Sequence, residues 1–107
     1  RRVVMVFRIV KMEFQADQVD EFDALFERYR SHIEASPGCL GVKLVSGTDQ
    51  PHVRTTLSWW EGSEHLETYR KSALFAEVWP RTKALFSARP VAWSSHWPAD
   101  MEVPTAK

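Results

Sequence analysis

The sequence contains no asparagine and only one cysteine, Cys39. A single cysteine cannot form an internal disulfide, so a reducing compartment, the cytoplasm, is the expected location. The sequence also lacks an apolar run long enough to cross a bilayer and shows no signal peptide, so we expect no membrane partner. Met5 is a candidate natural start, which would make residues 1–4 an upstream addition.

Neither sign of charge is in excess, because 14 basic residues balance 14 acidic ones. A neutral chain offers no electrostatic attraction for nucleic acid or for an anionic membrane, so we expect neither as a partner. A length of 107 residues suits one domain with one modest core. We therefore expect a single domain over residues 1–107, with its core in residues 5–97 and a polar, proline-containing tail in residues 98–107.

The sequence is rich in aromatic residues, including five tryptophans and six phenylalanines. Two of the tryptophans end residues 55–60, whose β-branched and aromatic content is typical of a strand. Side chains alternate along a strand, so Trp59 and Trp60 must face opposite sides. Gly62 ends this strand, and Ser63 is the expected N-cap of the helix that follows.

The hydrophobic pattern predicts three more strands and one more helix. Asp17 is the expected N-cap of the first helix, which Pro37 and Gly38 should end. In the second helical region we expect Ser72 to cap a new segment and Pro80 to kink or restart the helix. The predicted strands are residues 3–14, 39–46, 52–60 and 90–97, and the predicted helical regions are residues 17–36 and 63–86.

The order of these elements is βαββαβ, which predicts an α+β fold of the ferredoxin-like type with a four-stranded antiparallel sheet. Two helices cover only one face of such a sheet. Residues 3–14 are nevertheless largely apolar on both faces, whereas a solvated face should alternate with polar residues. A second copy of the chain would supply the missing cover, so the sequence predicts a homodimer.

Five segments carry a resemblance to a known family. They are Phe7-Arg8-Ile9-Val10, Asp20-Glu21-Phe22, Pro37-Gly38-Cys39-Leu40-Gly41, Trp60-Glu61-Gly62-Ser63-Glu64-His65-Leu66 and Tyr69-Arg70-Lys71-Ser72-Ala73-Leu74-Phe75. Together, over roughly residues 5–97, they resemble the antibiotic biosynthesis monooxygenase family of the dimeric α+β barrel superfamily. The resemblance implies a homodimer whose sheets pack face to face, with one pocket per subunit between sheet and helices.

Relatives of this kind include cofactor-independent oxygenases of aromatic polyketides and quinols, haem-degrading enzymes, and small isomerases. The haem-degrading enzymes use an asparagine, a tryptophan and a helix histidine. Trp60 could match their tryptophan, but the chain has no asparagine, and Tyr69 or Arg70 stands where the histidine is expected. Many relatives also have a histidine just before the helix phenylalanine, where this chain has Leu74 before Phe75.

An oxygenase without flavin, haem or metal takes its electrons from the substrate. The substrate loses a proton, and the phenolate or enolate passes an electron to oxygen, while the protein supplies a base, hydrogen bonds and a dry pocket. The sequence has no dinucleotide-binding, P-loop or zinc-protease motif. Its four scattered histidines and one cysteine also lack a metal-ligand spacing, so we expect no cofactor and no metal.

Three residues are candidates for polar roles in such a site. His96, near the end of the last strand, is the candidate base, because histidine titrates near neutrality; a surface or hydrogen-bonded strand histidine is the alternative. Tyr69 could orient a ligand through its hydroxyl, or serve as a core tyrosine with a satisfied hydroxyl. Arg8 interrupts an apolar strand face, so it should pair with an acidic residue or bind a ligand anion.

The pocket is expected between the sheet and the second helical region. The further substrate-binding candidates are Trp60, Phe75, Trp79 and Trp93, for which plain packing is the alternative. The first functional hypothesis is a cofactor-independent monooxygenase of a small aromatic or quinol-like substrate. The others are a non-catalytic dimer that binds a small hydrophobic ligand or serves a stress role, and a haem-binding or haem-degrading relative.

Overall fold

The computed structural model describes residues 4–98 and 100–104. Its elements are β1 (Met5–Glu13), α1 (Val19–Glu34), β2 (Cys39–Ser46), β3 (Val53–Trp60), α2 (Ser63–Arg70), α3 (Ala73–Lys83) and β4 (Val91–Trp97). The strands form one antiparallel sheet in the order β2-β3-β1-β4. This is the predicted ferredoxin-like α+β arrangement, with the second helical region divided in two. Val3, the first residue of the predicted strand, lies outside the described residues, as do residues 99 and 105–107 of the predicted tail.

The second helical region is interrupted where the sequence predicts it. Ser72 is the N-cap of α3, and its hydroxyl accepts a hydrogen bond from the amide of Phe75 at 3.1 Å. Of the two outcomes predicted at Pro80, the restart is wrong, because α3 continues through this residue to Lys83, and the kink stays a prediction. A proline removes one backbone donor, but the carbonyl of Pro80 still accepts a hydrogen bond from the amide of Ala84 at 3.2 Å.

The predicted N-caps of α1 and α2 are each wrong by one residue. The N-cap of α1 is Gln18 rather than Asp17, and that of α2 is Gly62 rather than Ser63. At α2 the carbonyl of Gly62 already accepts helical hydrogen bonds, so Ser63 lies inside the first turn. No helix within residues 4–98 and 100–104 combines the length and the apolar character that crossing a bilayer requires.

The strand register assigns each side chain to one of two sheet faces. Along β1, Val6, Arg8, Val10 and Met12 lie on the side that packs against the helices, which we call the inner face. The opposite side is the outer face. On the inner face, Val6 lies between Trp60 of β3 and His96 of β4, and Arg8 lies between Ser58 of β3 and Ser94 of β4. The outer face carries Phe7, Ile9, Trp59, Trp93 and Trp97.

The core lies between the inner face and the helices. Met12 and Phe14 are 2% and 1% exposed, and they pack with Phe22 and Phe26 of α1. The rings of Phe14 and Phe22 stack with centroids 4.3 Å apart. Burying one side chain of this size contributes about 1.5–3 kcal/mol. This packing fixes α1 on the sheet and thereby fixes one wall of the cavity described below.

The outer face is not covered by a helix in the described part of the chain, yet its centre is closed. Trp59 is 1% exposed, because its indole packs between Phe7 and Trp97, at centroid distances of 5.1 and 5.5 Å. Toward the sheet edge, Trp93 and Val91 of β4 are exposed. Exposed apolar area of this kind is typical of interaction surfaces. The predicted homodimer stays a prediction, with the outer face as its candidate surface.

Gly38 connects α1 to β2 at a point where no other residue fits. Its φ is +80°, in the left-handed region that favours glycine. A Cβ at this position would also overlap the imidazole ring of His65. His65 is therefore packed against this turn, and its Nδ1 is buried without a hydrogen-bond partner among the described residues.

Candidate functional site

A cavity of about 290 Å³ lies between the inner face and the three helices. Most of its wall is apolar, with Phe22, Phe26 and Ile33 of α1 among the contributors. Ligand sites commonly combine such a wall with a few polar groups that fix the orientation of the ligand. The polar residues that line this cavity are Arg8, Tyr29, Thr56, Ser58, Tyr69, Arg70 and Thr82.

Four aromatic side chains form a continuous row along the cavity wall. Trp60 stacks on Tyr69 at a centroid distance of 5.1 Å, and Tyr69 meets Phe75 edge to face at 5.3 Å. Phe75 in turn stacks on Trp79 at 5.6 Å. Each contact adds roughly 0.5–1.5 kcal/mol beyond the burial of area. The row therefore joins β3, α2 and α3 and gives the cavity a continuous aromatic wall.

Tyr69 contributes a hydroxyl to this wall that remains a hydrogen-bond donor over the physiological pH range. Burial raises the pKa of its phenol to about 12, with a smaller contribution from Cys39. Within the described residues the hydroxyl makes no hydrogen bond, while the backbone carbonyl of Tyr69 accepts one from Ser72. Tyr69 can therefore donate to a ligand, but it is a poor proton acceptor.

Arg8 lies in the middle of the inner face, in a row with two serines. The register places Ser58 of β3 on one side of it and Ser94 of β4 on the other. Arg8 Nη1 donates a hydrogen bond to Ser94 Oγ at 3.1 Å, while Ser58 Oγ accepts one from Trp60 Nε1 at 3.0 Å. Serine side chains are small, so the row leaves the guanidinium room to meet a ligand.

The charge of Arg8 is not neutralised by an ion pair. The expected salt bridge to an acidic residue is absent from the described part of the chain. Burial lowers the pKa of the Arg8 guanidinium, and the positive charge of Arg70 lowers it further, while Glu67 acts in the opposite direction. A half-buried arginine with this environment is well suited to bind an anion.

A second, more open depression of about 310 Å³ adjoins the cavity. The two share Arg8, Leu66 and Arg70 in their walls. His96 lines the depression but not the cavity, and its side chain is exposed. Ser94 of β4 is opposite Arg8, and His96 is two residues further along β4. Arg8 and His96 are therefore diagonal neighbours on the same face, roughly 7–8 Å apart.

The structure therefore brings together most of the candidate residues. Arg8, Trp60, Tyr69, Phe75 and Trp79 all line the cavity, and His96 lines the adjoining depression. Whether any of them has a role in catalysis or binding stays a prediction.

Trp93 does not belong to this group. It is opposite Ile9, on the outer face, and it is 46% exposed. The prediction that Trp93 lines the pocket is therefore wrong. The physical reason is the alternation of side chains along a strand: Trp93 is an odd number of residues from His96, so the two must face opposite sides.

Three polar residues near Arg8 are absent from the sequence-based candidates: Arg70, Ser58 and Ser94. The alternation of β3 did contain a signal for Ser58, because Ser58 must share a face with Trp60. Ser94 had the same kind of signal, because it must share a face of β4 with His96. Arg70 has no comparable signal, since its proximity to Arg8 depends on the docking of α2.

The described residues contain no cluster of three or more histidine, cysteine, aspartate or glutamate side chains that could hold a metal ion. Cys39 is half-buried, and burial raises the pKa of its thiol, so it stays protonated at neutral pH. Its place beside Trp60 and Tyr69 agrees with a packing role.

Comparison with known proteins assigns this fold and sequence to a family. The sequence profile of the family described as "Antibiotic biosynthesis monooxygenase" matches residues 5–79. This match includes β1 to α2 and most of α3, and therefore most of the cavity wall. No curated protein sequence matches the chain.

Solved structures share the fold at low sequence identity. A conserved protein from Methanosarcina mazei Go1 is 17% identical, with a TM-score of 0.83 over 87% of this chain and 92% of its own. A Bordetella bronchiseptica protein, whose name places it among the antibiotic biosynthesis monooxygenases, is 24% identical, with a TM-score of 0.78 over 86% of this chain and 95% of its own.

A protein from Caulobacter crescentus CB15 with the same family name is 17% identical, with a TM-score of 0.81 over 94% of this chain and 92% of its own. At such identities the likeness concerns the fold, and the profile match over residues 5–79 carries the assignment. The chain belongs to the antibiotic biosynthesis monooxygenase family.

Proposed function

We propose that the protein is a cofactor-independent monooxygenase that oxidises a small aromatic or quinol-like substrate with molecular oxygen. One observation carries the proposal: a mainly apolar, aromatic-walled cavity contains the Arg8 guanidinium, without an ion pair, and the Tyr69 hydroxyl, without a hydrogen-bond partner, among the described residues. Polar groups in an apolar wall gain free energy when a ligand supplies the missing acceptor. A cytoplasmic location is part of this proposal, because the lone Cys39 can form no internal disulfide.

The size of the cavity limits the substrate. An apolar cavity of about 150 Å³ holds one benzene molecule. The cavity here, at about 290 Å³, is roughly twice as large. It supports a substrate of one or two fused rings, stacked on the row that runs from Trp60 to Trp79.

The proposed reaction converts an aromatic C–H opposite a phenolic hydroxyl into a carbonyl. The hydroxyl loses its proton, the phenolate passes an electron to oxygen, and the two radicals combine to form a carbon–oxygen bond. The resulting peroxide takes back the phenolic proton and becomes a hydroperoxide. It then loses water, which includes the hydrogen of the oxygenated carbon, and leaves a quinone. A phenol and one oxygen molecule thus give one quinone and one water, and the substrate supplies all the electrons, so no external reductant takes part.

Each polar group of the site has a proposed part in this reaction. Arg8 stabilises the phenolate by charge. Tyr69, neutral because its pKa is raised to about 12, donates a hydrogen bond to the oxygen that gains negative charge. His96 accepts the phenolic proton from the side of the depression. The apolar wall excludes water from the reacting carbon.

We also propose that the protein acts as a homodimer joined through the outer face. Trp93 and Val91 are exposed there beside the closed cluster around Trp59. Covering this face with a second sheet would bury more than about 1,000 Å², the size of a specific interface. Members of the family are generally dimeric, which supports the same arrangement.

A non-catalytic protein that binds a small aromatic ligand is the second candidate function. The observation in its favour is the absence of histidine and carboxylate groups from the cavity wall within the described residues. The same observation gives the haem-binding alternative no support. A binding protein would need the aromatic row and Arg8, but it would not need His96.

Oxygen consumption separates these two functions. The purified protein should consume oxygen with at least one member of a panel of one- and two-ring phenols and quinols, and the product should contain one oxygen atom from O2. A phenol with hydrogen opposite its hydroxyl should give the quinone, and a quinol with a free ring position should give the hydroxyquinone, each with one water. Anaerobic titration of the same panel, followed by tryptophan fluorescence, reports binding on its own. Binding without oxygen consumption across the panel would favour the non-catalytic function and reject the oxygenase.

A variant that fills the cavity provides the control. Val78 of α3 lines the cavity, whereas Ala76 of the same helix is exposed. Val78→Trp should abolish both binding and oxygen consumption, and Ala76→Trp should change neither. If Val78→Trp folds and keeps full activity, the reaction does not take place in this cavity.

A further inference from the structure

The cavity and the depression meet at a pair of arginines. Arg8 reaches this junction from the middle of the sheet, and Arg70 reaches it from the last turn of α2. Leu66, which is 6% exposed, is the third residue that both walls share. A ligand at the junction can therefore place an apolar part in the cavity and a polar part in the depression.

The charges at the junction do not balance. Arg70 Nη1 pairs with Glu67 Oε2 at 3.1 Å, but both side chains are about half exposed, so this is a weak surface pair. Arg8 has only the neutral hydroxyl of Ser94 as a hydrogen-bond partner within the described residues. Two guanidinium groups thus face one carboxylate, which leaves one positive charge to be neutralised.

The shape of a guanidinium defines which anion would fit. Its N–H groups form a planar fork that matches the two oxygens of a carboxylate. One of the five N–H groups of Arg8 is used for Ser94 Oγ, so a two-point contact remains open. Arg70 can contribute a second contact, because its exposed pair with Glu67 is readily exchanged.

We propose that the substrate is a hydroxyaryl carboxylate of one or two rings, with the carboxylate next to the phenolic hydroxyl and bound between Arg8 and Arg70. The ring lies in the cavity, the carboxylate neutralises the junction, and the adjacent hydroxyl faces the depression, where His96 is located. This inference rests on the proposed function for the oxidation of the ring, but the binding of the carboxylate can be measured without turnover.

The test uses 1-hydroxy-2-naphthoate and its methyl ester, which differ in charge but share the ring and the hydroxyl. Binding is measured without oxygen, by quenching of tryptophan fluorescence. The acid should bind at least about tenfold more tightly than the ester, as one charged hydrogen-bonded contact provides. This preference should shrink as the salt concentration rises.

Substitutions then assign the preference to the two arginines. Arg8→Gln and Arg70→Gln should each remove most of the preference for the acid, while the affinity for the ester changes little. Glu67→Gln should strengthen the preference, because it removes the competing carboxylate. Arg28→Gln is the matched control: Arg28 is exposed on α1 and lines neither space, so its loss should leave the preference intact.

The inference is overturned if the ester binds as tightly as the acid, if neither binds, or if the preference survives in both Arg8→Gln and Arg70→Gln. Should Arg8→Gln fail to fold, the exposed Arg70 still provides the test. Oxygen consumption separates this result from the proposed function. Selective binding of the acid without oxygen consumption would support the carboxylate site and reject the oxygenase. Oxidation of neutral phenols, with no preference for the acid over the ester, would support the oxygenase and reject the carboxylate site.

Discussion

The phenol ring of Tyr69 lies against the indole of Trp60, with ring centroids 5.1 Å apart and planes inclined by 29°. This stack holds α2 on the inner face and leaves the hydroxyl of Tyr69 without a hydrogen-bond partner among the described residues. The ring and the hydroxyl of one side chain thus have separable roles, since the ring packs and the hydroxyl is available to a ligand.

Removing only the hydroxyl should affect the reaction and not the fold. Tyr69→Phe keeps the stack, so its free energy of unfolding should stay within about 0.5 kcal/mol of the parent protein. Oxygenation should slow by about tenfold, because one hydrogen bond to the developing anion is lost. Denaturant unfolding and oxygen consumption measure the two effects.

Tyr69→Ala is the matched comparison, because it removes the ring as well and should cost about 3–5 kcal/mol. Full activity in Tyr69→Phe would exclude the hydroxyl from the reaction.

The raised pKa of Tyr69 predicts a loss of stability at alkaline pH. The phenol titrates at about 12 in the folded protein, whereas in an unfolded chain it titrates near 10. Between these values the unfolded chain has lost a proton that the folded protein still holds, so stability falls as the pH rises. The loss should approach roughly 2–3 kcal/mol and be absent from Tyr69→Phe. Parallel unfolding curves of the two proteins across this range would contradict the prediction.

His96 should matter for the rate and little for stability. Its side chain is exposed, so His96→Ala should change the free energy of unfolding by about 0.5 kcal/mol at most. As a general base, it should contribute about 10²-fold or more to oxygenation. His52→Ala, at an exposed hairpin position, is the control and should keep the parent rate. Equal rates in both variants would show that another group accepts the proton.

A charge on the outer face should separate the proposed dimer. Trp93→Glu places a carboxylate where we expect the second sheet, and burying it unpaired is costly. Sedimentation should show a dimer for the parent protein and monomer for the variant at micromolar concentration. Ala24→Glu puts the same charge on the exposed side of α1 and should stay dimeric. A parent protein that sediments as a monomer would defeat the dimer.

The two adjacent tryptophans should respond differently to the same substitution. Both are 1% exposed, but Trp60 Nε1 donates to Ser58 Oγ, whereas Trp59 Nε1 is buried without a partner among the described residues. Trp59→Phe removes an unsatisfied donor, while Trp60→Phe breaks a hydrogen bond. Trp60→Phe should therefore cost about 1–3 kcal/mol more in unfolding free energy. Equal costs would indicate that Trp59 Nε1 finds a partner in solution.

The fold could be predicted from the sequence because its signals are local. The change from a two-residue to a helical period, the cap at Ser72 and the turn at Gly38 each depend on a few neighbouring residues, and all three agree with the structure. The caps at Asp17 and Ser63 were wrong by one residue, since the adjacent positions offer nearly the same start to a helix.

The site could be predicted only in part, because its geometry depends on strand register. Sequence alone placed Arg8, Trp60 and His96 on definite sides of their own strands, but the pairing of Arg8 with Ser94 is what shows that these sides coincide. The prediction for Trp93 is wrong, and the alternation of side chains along β4 already excludes Trp93 and His96 from one face. Arg70 could not be found, because its approach to Arg8 depends on how α2 docks on the sheet.

Because Trp59 and Trp60 face opposite sides of the sheet, the structure depends on the number of residues in β3 as well as on their identity. A deletion or insertion of one residue within β3 would exchange the surfaces to which the two indoles belong, because a slip by one reverses every side chain. Trp60 would leave Tyr69 and join the outer face, and Trp59 would take its place beside the cavity. One such indel would thus alter both the candidate site and the candidate interface, so length variation among homologues should be confined to the hairpin at residues 47–52 and the other loops.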